Sequence, residues 1–177
     1  DINYISVKIS GIYAQTHALN YEESFPELVR RMSTLYQTAI DYPYVDENGK
    51  KSPKFVNLDM EEYKDFDMTI KVFLTTLSKE RCSRGGAPIK MRIVKGCNLD
   101  MEAVTSSLHG WPTPVRPNKT EVDANYLHII ERGLLPENAK CLHIGMASHN
   151  LYTISYAYLL TQKYQTPKET FCFEMLE

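Results

Sequence analysis

Four places along the chain bring polar or charged residues together at points where a strand should end. They are Lys8-Ile9-Ser10, Asp59 with Glu61 and Glu62, the run Arg92 to Asn98, and Ser148-His149-Asn150. In parallel α/β folds, working residues gather at the C-terminal ends of strands. Lys8, Arg92 and Lys95 are cations, which suits an anionic ligand. Lys95-Gly96 also leads into a helix start, where free backbone amides favour anions and glycine permits close approach. Each place has a plainer reading as well. Lys8 can face solvent, Asp59 can cap the following helix, His149 can be a core histidine, and Arg92 and Lys95 can be ion-paired filler. Four coincidences of one kind weigh against the plain reading of all of them.

Several chemistries have no support. There is no GxGxxG and no GxxxxGK[ST], so neither a Rossmann dinucleotide site nor a P-loop is indicated. HExxH and GxSxG are both absent. Cys82, Cys97, Cys141 and Cys172 are scattered with no CxxC pair. They read as reduced, mostly buried thiols of a cytosolic protein rather than a zinc ribbon or a disulfide scaffold. Asn118-Lys119-Thr120 matches a glycosylation sequon, which carries no weight without a secretory context.

The elements that must position these residues follow from periodicity. Residues 4–10 alternate and are β-branched, which predicts a strand. Phe25, Leu28, Val29, Met32, Leu35, Tyr36, Ala39 and Ile40 fall on one helical face within 22–40, with Ser24 before Phe25-Pro26 as a candidate cap. Asn48-Gly49 predicts a tight turn in a small excursion over 41–53. Strands are expected at 54–58, 89–94, 140–146 and 170–176. Helices are expected from about 63 to 77, through Met101, Val104 and Leu108, over 120–133 with Gly133 as the stop, and over 151–163. Residues 81–88 read as a connection, and the three prolines within 110–117 make that stretch a loop. The repeating β-then-α order predicts parallel strands with crossover helices, either a barrel or an open doubly wound sheet.

The bulk properties agree with one soluble-type α/β domain. The chain has 177 residues, 43% hydrophobic and 24% charged, with a formal net charge of −2. That balance excludes a nucleic-acid-binding field or a polybasic membrane patch. No apolar run approaches the ~18 residues of a transmembrane helix. The chain opens on Asp1 without a signal region and ends on Phe173-Glu174-Met175-Leu176-Glu177, so it reads as a piece of a longer protein.

Five motifs in order resemble the flavin-dependent proline dehydrogenases, above all the proline dehydrogenase domain of the bacterial bifunctional proline utilization A proteins. They are Phe55-Val56-Asn57-Leu58-Asp59-Met60-Glu61-Glu62-Tyr63, then Ile93-Val94-Lys95-Gly96-Cys97-Asn98-Leu99-Asp100-Met101-Glu102. Trp111-Pro112 through Lys119 to Asp123-Ala124-Asn125-Tyr126 follows, then Ala147-Ser148-His149-Asn150-Leu151, then the C-terminal run.

The resemblance implies part of a (β/α)8 barrel, about five βα units, that holds FAD at its strand ends. It implies oxidation of L-proline to Δ1-pyrroline-5-carboxylate, with hydride passing to flavin N5 and electrons to a membrane quinone. It further implies a cytoplasmic protein, peripheral to the inner membrane, with a fused NAD-dependent aldehyde dehydrogenase domain elsewhere. By the same resemblance Arg92, Lys95, Gly96, Lys119, Ser148, His149, Asn150 and Glu174 would contact the flavin. Lys8 would hold the proline carboxylate, Asp59 would be an active-site carboxylate, and Leu176 would wall the proline pocket. Lys8, Asp59 and Arg92 would form the catalytic set.

Departures from the family pattern are expected to matter. A βα unit carrying a Gln-Ala-Tyr strand is missing between Glu80 and Arg81. An arginine pair that would follow Glu177 is absent, so the chain alone is expected to be inactive. Asn98 stands where some relatives carry tyrosine. Two rival readings are a non-catalytic interaction module and a Schiff-base aldolase barrel using Lys8 or Lys95.

Overall fold

In the computed structural model, described for residues 2–16, 20–60, 62–84, 89–96 and 98–175, the chain divides into two units, Asp1–Gly85 and Gly86–Glu177. Five strands pair in parallel, as the β-then-α order predicts, and they fall into a two-stranded and a three-stranded sheet. Among the described residues these sheets do not close into a barrel.

The first unit begins with β1 (Tyr4–Lys8), the short helix α1 (Ile9–Ile12) and the long helix α2 (Tyr21–Asp41). A hairpin of β2 (Tyr44–Val45) and β3 (Lys51–Ser52) follows. Then come β4 (Phe55–Asp59), a 3-10 turn at Tyr63–Asp65 and α3 (Phe66–Arg84). β1 and β4 pair in register from Tyr4↔Phe55 to Lys8↔Asp59.

Alternation gives this small sheet two unlike faces. Val7 and Leu58 turn toward α2 and α3 and pack on the core of Ile9, Leu28, Val29, Met32, Met68 and Val72. Tyr4, Ser6, Lys8, Phe55, Asn57 and Asp59 occupy the other face, where Tyr4 and Phe55 stack at 5.4 Å. Each large side chain fully buried in such a core contributes roughly 1.5–3 kcal/mol. Exposed ion pairs contribute about 0–1 kcal/mol, so the helix-covered face holds the unit together and the polar face is available for function.

The second unit runs β5 (Ile89–Ile93), α4 (Leu99–His109), α5 (Lys119–Leu134), α6 (Pro136–Ala139), β6 (Leu142–Ala147), α7 (Leu151–Lys163), a 3-10 turn and β7 (Phe171–Glu174). β6 is the central strand, paired to β5 from Ile89↔Leu142 to Ile93↔Met146 and to β7 from Ile144↔Phe171 to Ala147↔Glu174. Ile93, Ile144 and Met146 form a core with Tyr126, Ile130 and Leu134 of α5 and Ala157 and Leu160 of α7. Lys90, Arg92, His143, Gly145, Cys172 and Glu174 line the opposite face.

Local expectations are corrected at five points. Ser24 does not cap α2. The helix starts a turn earlier, Pro26 lies inside it, and the buried Ser24 Oγ donates to the Gln15 carbonyl at 3.1 Å. The first strand stops at Lys8, because Ile9 turns into α1 and the core. α3 continues to Arg84, through residues expected to form a connection. Cys141 and Cys172 are exposed rather than buried, because one lies in the turn before β6 and the other on the polar face of β7. Cys97 and the side chain of Cys82 lie outside the described residues.

Gly133 does not stop α5, which runs on to Leu134. A Cβ on Gly133 would lie 2.2 Å from Ile144 Cδ1 and 3.3 Å from its Cγ1, so glycine is there to let the helix close on the sheet. Gly133→Ala is expected to destabilise the protein, because overpacking costs about 1–3 kcal/mol against the ~1 kcal/mol that alanine returns in helix propensity. Chemical denaturation of Gly133→Ala in the wild-type and Ile144→Val backgrounds checks this. Removing Cδ1 should cancel most of the penalty, and an equal penalty in both backgrounds would exclude the contact as its cause.

Candidate functional site

In the first unit, Lys8 and Asp59 are direct neighbours at the C-terminal ends of paired parallel strands. Both Asp59 carboxylate oxygens are engaged on the polar face. Ser6 Oγ donates to Oδ2 at 2.7 Å, and Asn57 Nδ2 donates to Oδ1 at 2.8 Å. Asn57 Nδ2 also donates to Ser6 Oγ at 2.9 Å, which closes the network. Asp59 is therefore not a helix cap. Its carboxylate is turned back along the sheet, and no side-chain cap precedes the 3-10 turn. The sequence pattern does not single out Ser6 and Asn57 as site residues, although each lies two positions before Lys8 or Asp59 and so shares its face.

The second unit gathers the remaining cations. Glu174, at the end of β7, reaches across β6 to β5, where its Oε1 meets Lys90 Nζ at 2.8 Å and its Oε2 accepts from Arg92 Nε at 2.7 Å. Beyond β5, Lys95 Nζ donates to Asp123 Oδ1 at 2.5 Å and lies 4.8 Å from the centre of the Tyr126 ring. Lys119 Nζ holds the other oxygen of Asp123 one helical turn away. The Tyr126 hydroxyl donates to the Ala147 carbonyl at 2.7 Å and approaches the Ile93 carbonyl at 3.4 Å, tying together the ends of β6 and β5. Burial pushes the Tyr126 phenol up, against an opposing effect of Arg92.

Gly96 has φ +81°, a conformation glycine tolerates, and open space lies where a Cβ would be. Asn98 follows at φ 57°. Past β6, the buried Ser148 accepts at Oγ from the Asn150 amide at 3.1 Å. Asn150 Oδ1 accepts from the Thr153 amide at 3.1 Å, capping α7. His149, between them, is exposed rather than a core residue. Arg92, Lys95, Lys119 and His149 thus sit at one end of parallel β5 and β6. Leu176 lies outside the described residues.

Nothing in the sequence pattern singles out Asp123, Tyr126, Lys90 or Gly145 as site residues either. Asp123 is readable in retrospect from its i, i+4 spacing to Lys119. Four cations here meet two carboxylates, Glu174 and Asp123, so positive charge is in excess. Burial pushes the Glu174 carboxyl up, but Lys90 and Arg92 outweigh it and hold it below its ordinary value. Lys119 first and Lys95 second hold Asp123 down as well. Arrangement and charge together suit an anionic group at the strand ends.

Residues 74–177 match the model of the proline dehydrogenase family. None of the curated proteins compared with the chain matches it. Among solved structures, the chain is similar to proline utilization A from Corynebacterium freiburgense. That match has 32% identity and a TM-score of 0.83, and covers 99% of this chain and 20% of the other. It is also similar to proline utilization A from Bdellovibrio bacteriovorus inactivated by N-propargylglycine, at 28% identity and a TM-score of 0.81, covering 97% and 20%. A Bradyrhizobium japonicum proline utilization A variant shares the fold at 19% identity and a TM-score of 0.76, covering 97% and 19%. The chain spans about a fifth of the length of these proteins.

The Glu174 bridge gives a pH dependence of definite sign. Its folded pKa lies below the unfolded one, so its contribution to stability is complete above the ordinary carboxylate range and is lost as pH falls through the folded value. Melting curves of wild type and Glu174→Gln should show a small separation at neutral pH that closes as pH falls below the ordinary glutamate pKa. Parallel curves across that window would exclude the bridge as a source of acid sensitivity.

Proposed function

The chain belongs to the proline dehydrogenase family, and we propose that it serves FAD-dependent oxidation of L-proline to Δ1-pyrroline-5-carboxylate as part of a (β/α)8 barrel. The observation that carries this reading is the excess of cations at the ends of β5 and β6, inside the stretch that matches the family.

The residues present fit such a cofactor. A diphosphate and a reduced flavin ring are both anionic. Arg92, Lys95 and Lys119, with Ser148, His149, Asn150 and the open backbone at Gly96, would hold it. Among the described residues the Arg92 guanidinium is engaged only through Nε, which leaves its terminal amino groups for an anion. When bound, FAD supplies the acceptor for the two electrons that leave proline. The chain's own contribution is charge and position. A fixed guanidinium stabilises negative charge where it develops, without reorganising as the reaction proceeds.

In the first unit, Lys8 and Asp59 set a cation beside an anion. That pair complements a zwitterionic amino acid, with Lys8 for the carboxylate and Asp59 for the ammonium. Ser6 and Asn57 hold the Asp59 carboxylate in one orientation. The remaining partners of this reading are a quinone at the inner-membrane surface, reached from the cytoplasm, and an NAD-dependent aldehyde dehydrogenase domain that takes the product. No helix among the described residues is long and apolar enough to cross a membrane.

The test is flavin absorbance in purified protein that carries the whole barrel, and its bleaching by proline under anaerobic conditions. Arg92→Met should lower the limiting rate of bleaching by roughly 10²–10³, the usual cost of losing a donor at developing charge, with little change in proline Kd. Lys8→Met should do the reverse. It should raise Kd by roughly ten-fold or more, because hydrogen bonds to charged groups are worth about 1.5–3 kcal/mol. A protein that carries no flavin, or whose flavin proline does not bleach, would overturn the reading.

A further inference from the structure

Glu174 lies on β7 and its two partners lie on β5, with β6 between them. A carboxylate can cross a central strand only where the strand offers no side chain. Gly145 supplies that gap, because it is the register partner of Arg92 on one side and of Cys172 on the other. A Cβ built on Gly145 would fall 2.2 Å from Glu174 Oε1, 2.8 Å from its Cδ and 3.1 Å from Lys90 Cε. Gly145 has an ordinary negative φ, so its backbone makes no demand for glycine. The demand comes from the carboxylate lying on it.

We infer that Gly145 and Glu174 are positioning residues: the glycine admits the Glu174 carboxylate over β6, and the carboxylate fixes the Arg92 guanidinium by its Nε edge with its terminal amino groups presented to an anion. Lys90 completes the device by holding the second carboxylate oxygen, so Glu174 is oriented from both ends. An arginine side chain otherwise samples many rotamers. Anchoring it at Nε removes much of that freedom before any ligand arrives. Half-exposed as it is, with 51% of its side-chain surface accessible, Arg92 has little packing to do the same work. The inference deepens the flavin reading of this site and rests on it for the identity of the anion. The bridge itself can be tested without any cofactor.

Gly145→Ala is the sharper variant. It leaves every charged group in place, suits a strand, and conflicts chiefly with the mobile end of Glu174. Glu174→Gln removes the charge and keeps the shape. Nitrogen-15 spectra of the arginine Nε–H groups in cofactor-stripped protein report the bridge directly. Arg30 and Arg31 also donate Nε–H to a carboxylate, that of Glu27, so the Arg92 signal is assigned by its absence in Arg92→Lys. Wild type should show it protected from exchange, and both Gly145→Ala and Glu174→Gln should lose that protection while the Arg30 and Arg31 signals stay unchanged. In the flavin-loaded protein, both variants should reduce flavin with a limiting rate roughly ten-fold lower, less than the 10²–10³ of deleting a donor, at unchanged proline Kd and flavin content.

A retained protected signal in Gly145→Ala would overturn the bridge. Loss of the signal with an unchanged limiting rate would overturn the positioning role. A wild-type protein that carries the whole barrel and shows no proline-dependent bleaching would overturn the flavin reading and the role assigned here, while the arginine spectra would still tell whether that failure is one of function or of geometry.

Discussion

Parallel strands held in register are the constraint on which the site depends. Parallel pairing forces each connection to cross over, and the crossover helices must cover one face of the sheet. Side chains alternate, so covering one face with α5 and α7, or with α2 and α3, commits every second residue to the other. Lys90 and Arg92 share a face because they lie two positions apart in the strand, and Ser6 and Lys8 do so for the same reason. Lys8 meets Asp59, and Arg92 meets Gly145, because the registers are fixed by the hydrophobic face behind them. A slip of one residue in β5 would turn Arg92 into the core of Ile144 and Met146 and put Ile93 in its place. The apolar contacts therefore set where the charges stand, although they touch no ligand.

The charges in turn restrain one another. Lys95 and Lys119 share Asp123, and Lys90 and Arg92 share Glu174. Each carboxylate bridges a strand end to another part of the fold, α5 in one case and β7 in the other. Such half-exposed pairs add little to stability. Their effect is on orientation: a cation tied to an anion on a separate element loses rotamers, and two cations per carboxylate leave a net positive field. Tyr126 joins the two effects. Its ring is packed in the core and lies under Lys95, and its hydroxyl satisfies the Ala147 carbonyl at the end of β6.

Periodicity made the elements readable. α7 has the boundaries expected from its sequence, and the five parallel strands lie where alternation and β-branching place them. What local patterns could not show was which residues meet across elements. Gly133 carried the signal of a helix stop, yet its neighbour is Ile144, eleven residues on in another element. Asp59 carried the signal of a cap, yet its partners are Ser6 on a different strand and Asn57. Glu174 entered through a family resemblance as a flavin contact, and no spacing along the chain pointed to its partners within the fold, Lys90 and Arg92 on β5 and Cys172 on its own strand. The charged residues themselves stood out, since they interrupt apolar runs at strand ends. Their counter-ions and the glycines that admit them did not, because spacing along one chain does not encode the order β5-β6-β7.

That order gives the central strand an unusual burden. Consecutive residues of β6 are approached on opposite faces more closely than side chains would allow: α5 closes on Ile144 through Gly133, and the Glu174 carboxylate lies on Gly145. The first approach is apolar and brings the helix, with Tyr126 and Asp123 on it, close enough to reach the strand ends. The second is ionic and brings β7's carboxylate to β5. Both depend on β6 holding still, and neither glycine can gain a side chain without moving the group lying against it. Because the two contacts are on opposite faces, they fail differently. Loss of the Gly133 contact pushes the helix out and weakens the fold. Loss of the Gly145 contact displaces one carboxylate end and frees Arg92 while the core of Ile93, Ile144 and Met146 stays packed. Stability and positioning are thus assigned to the two faces of a single strand, and a glycine permits the close approach on each.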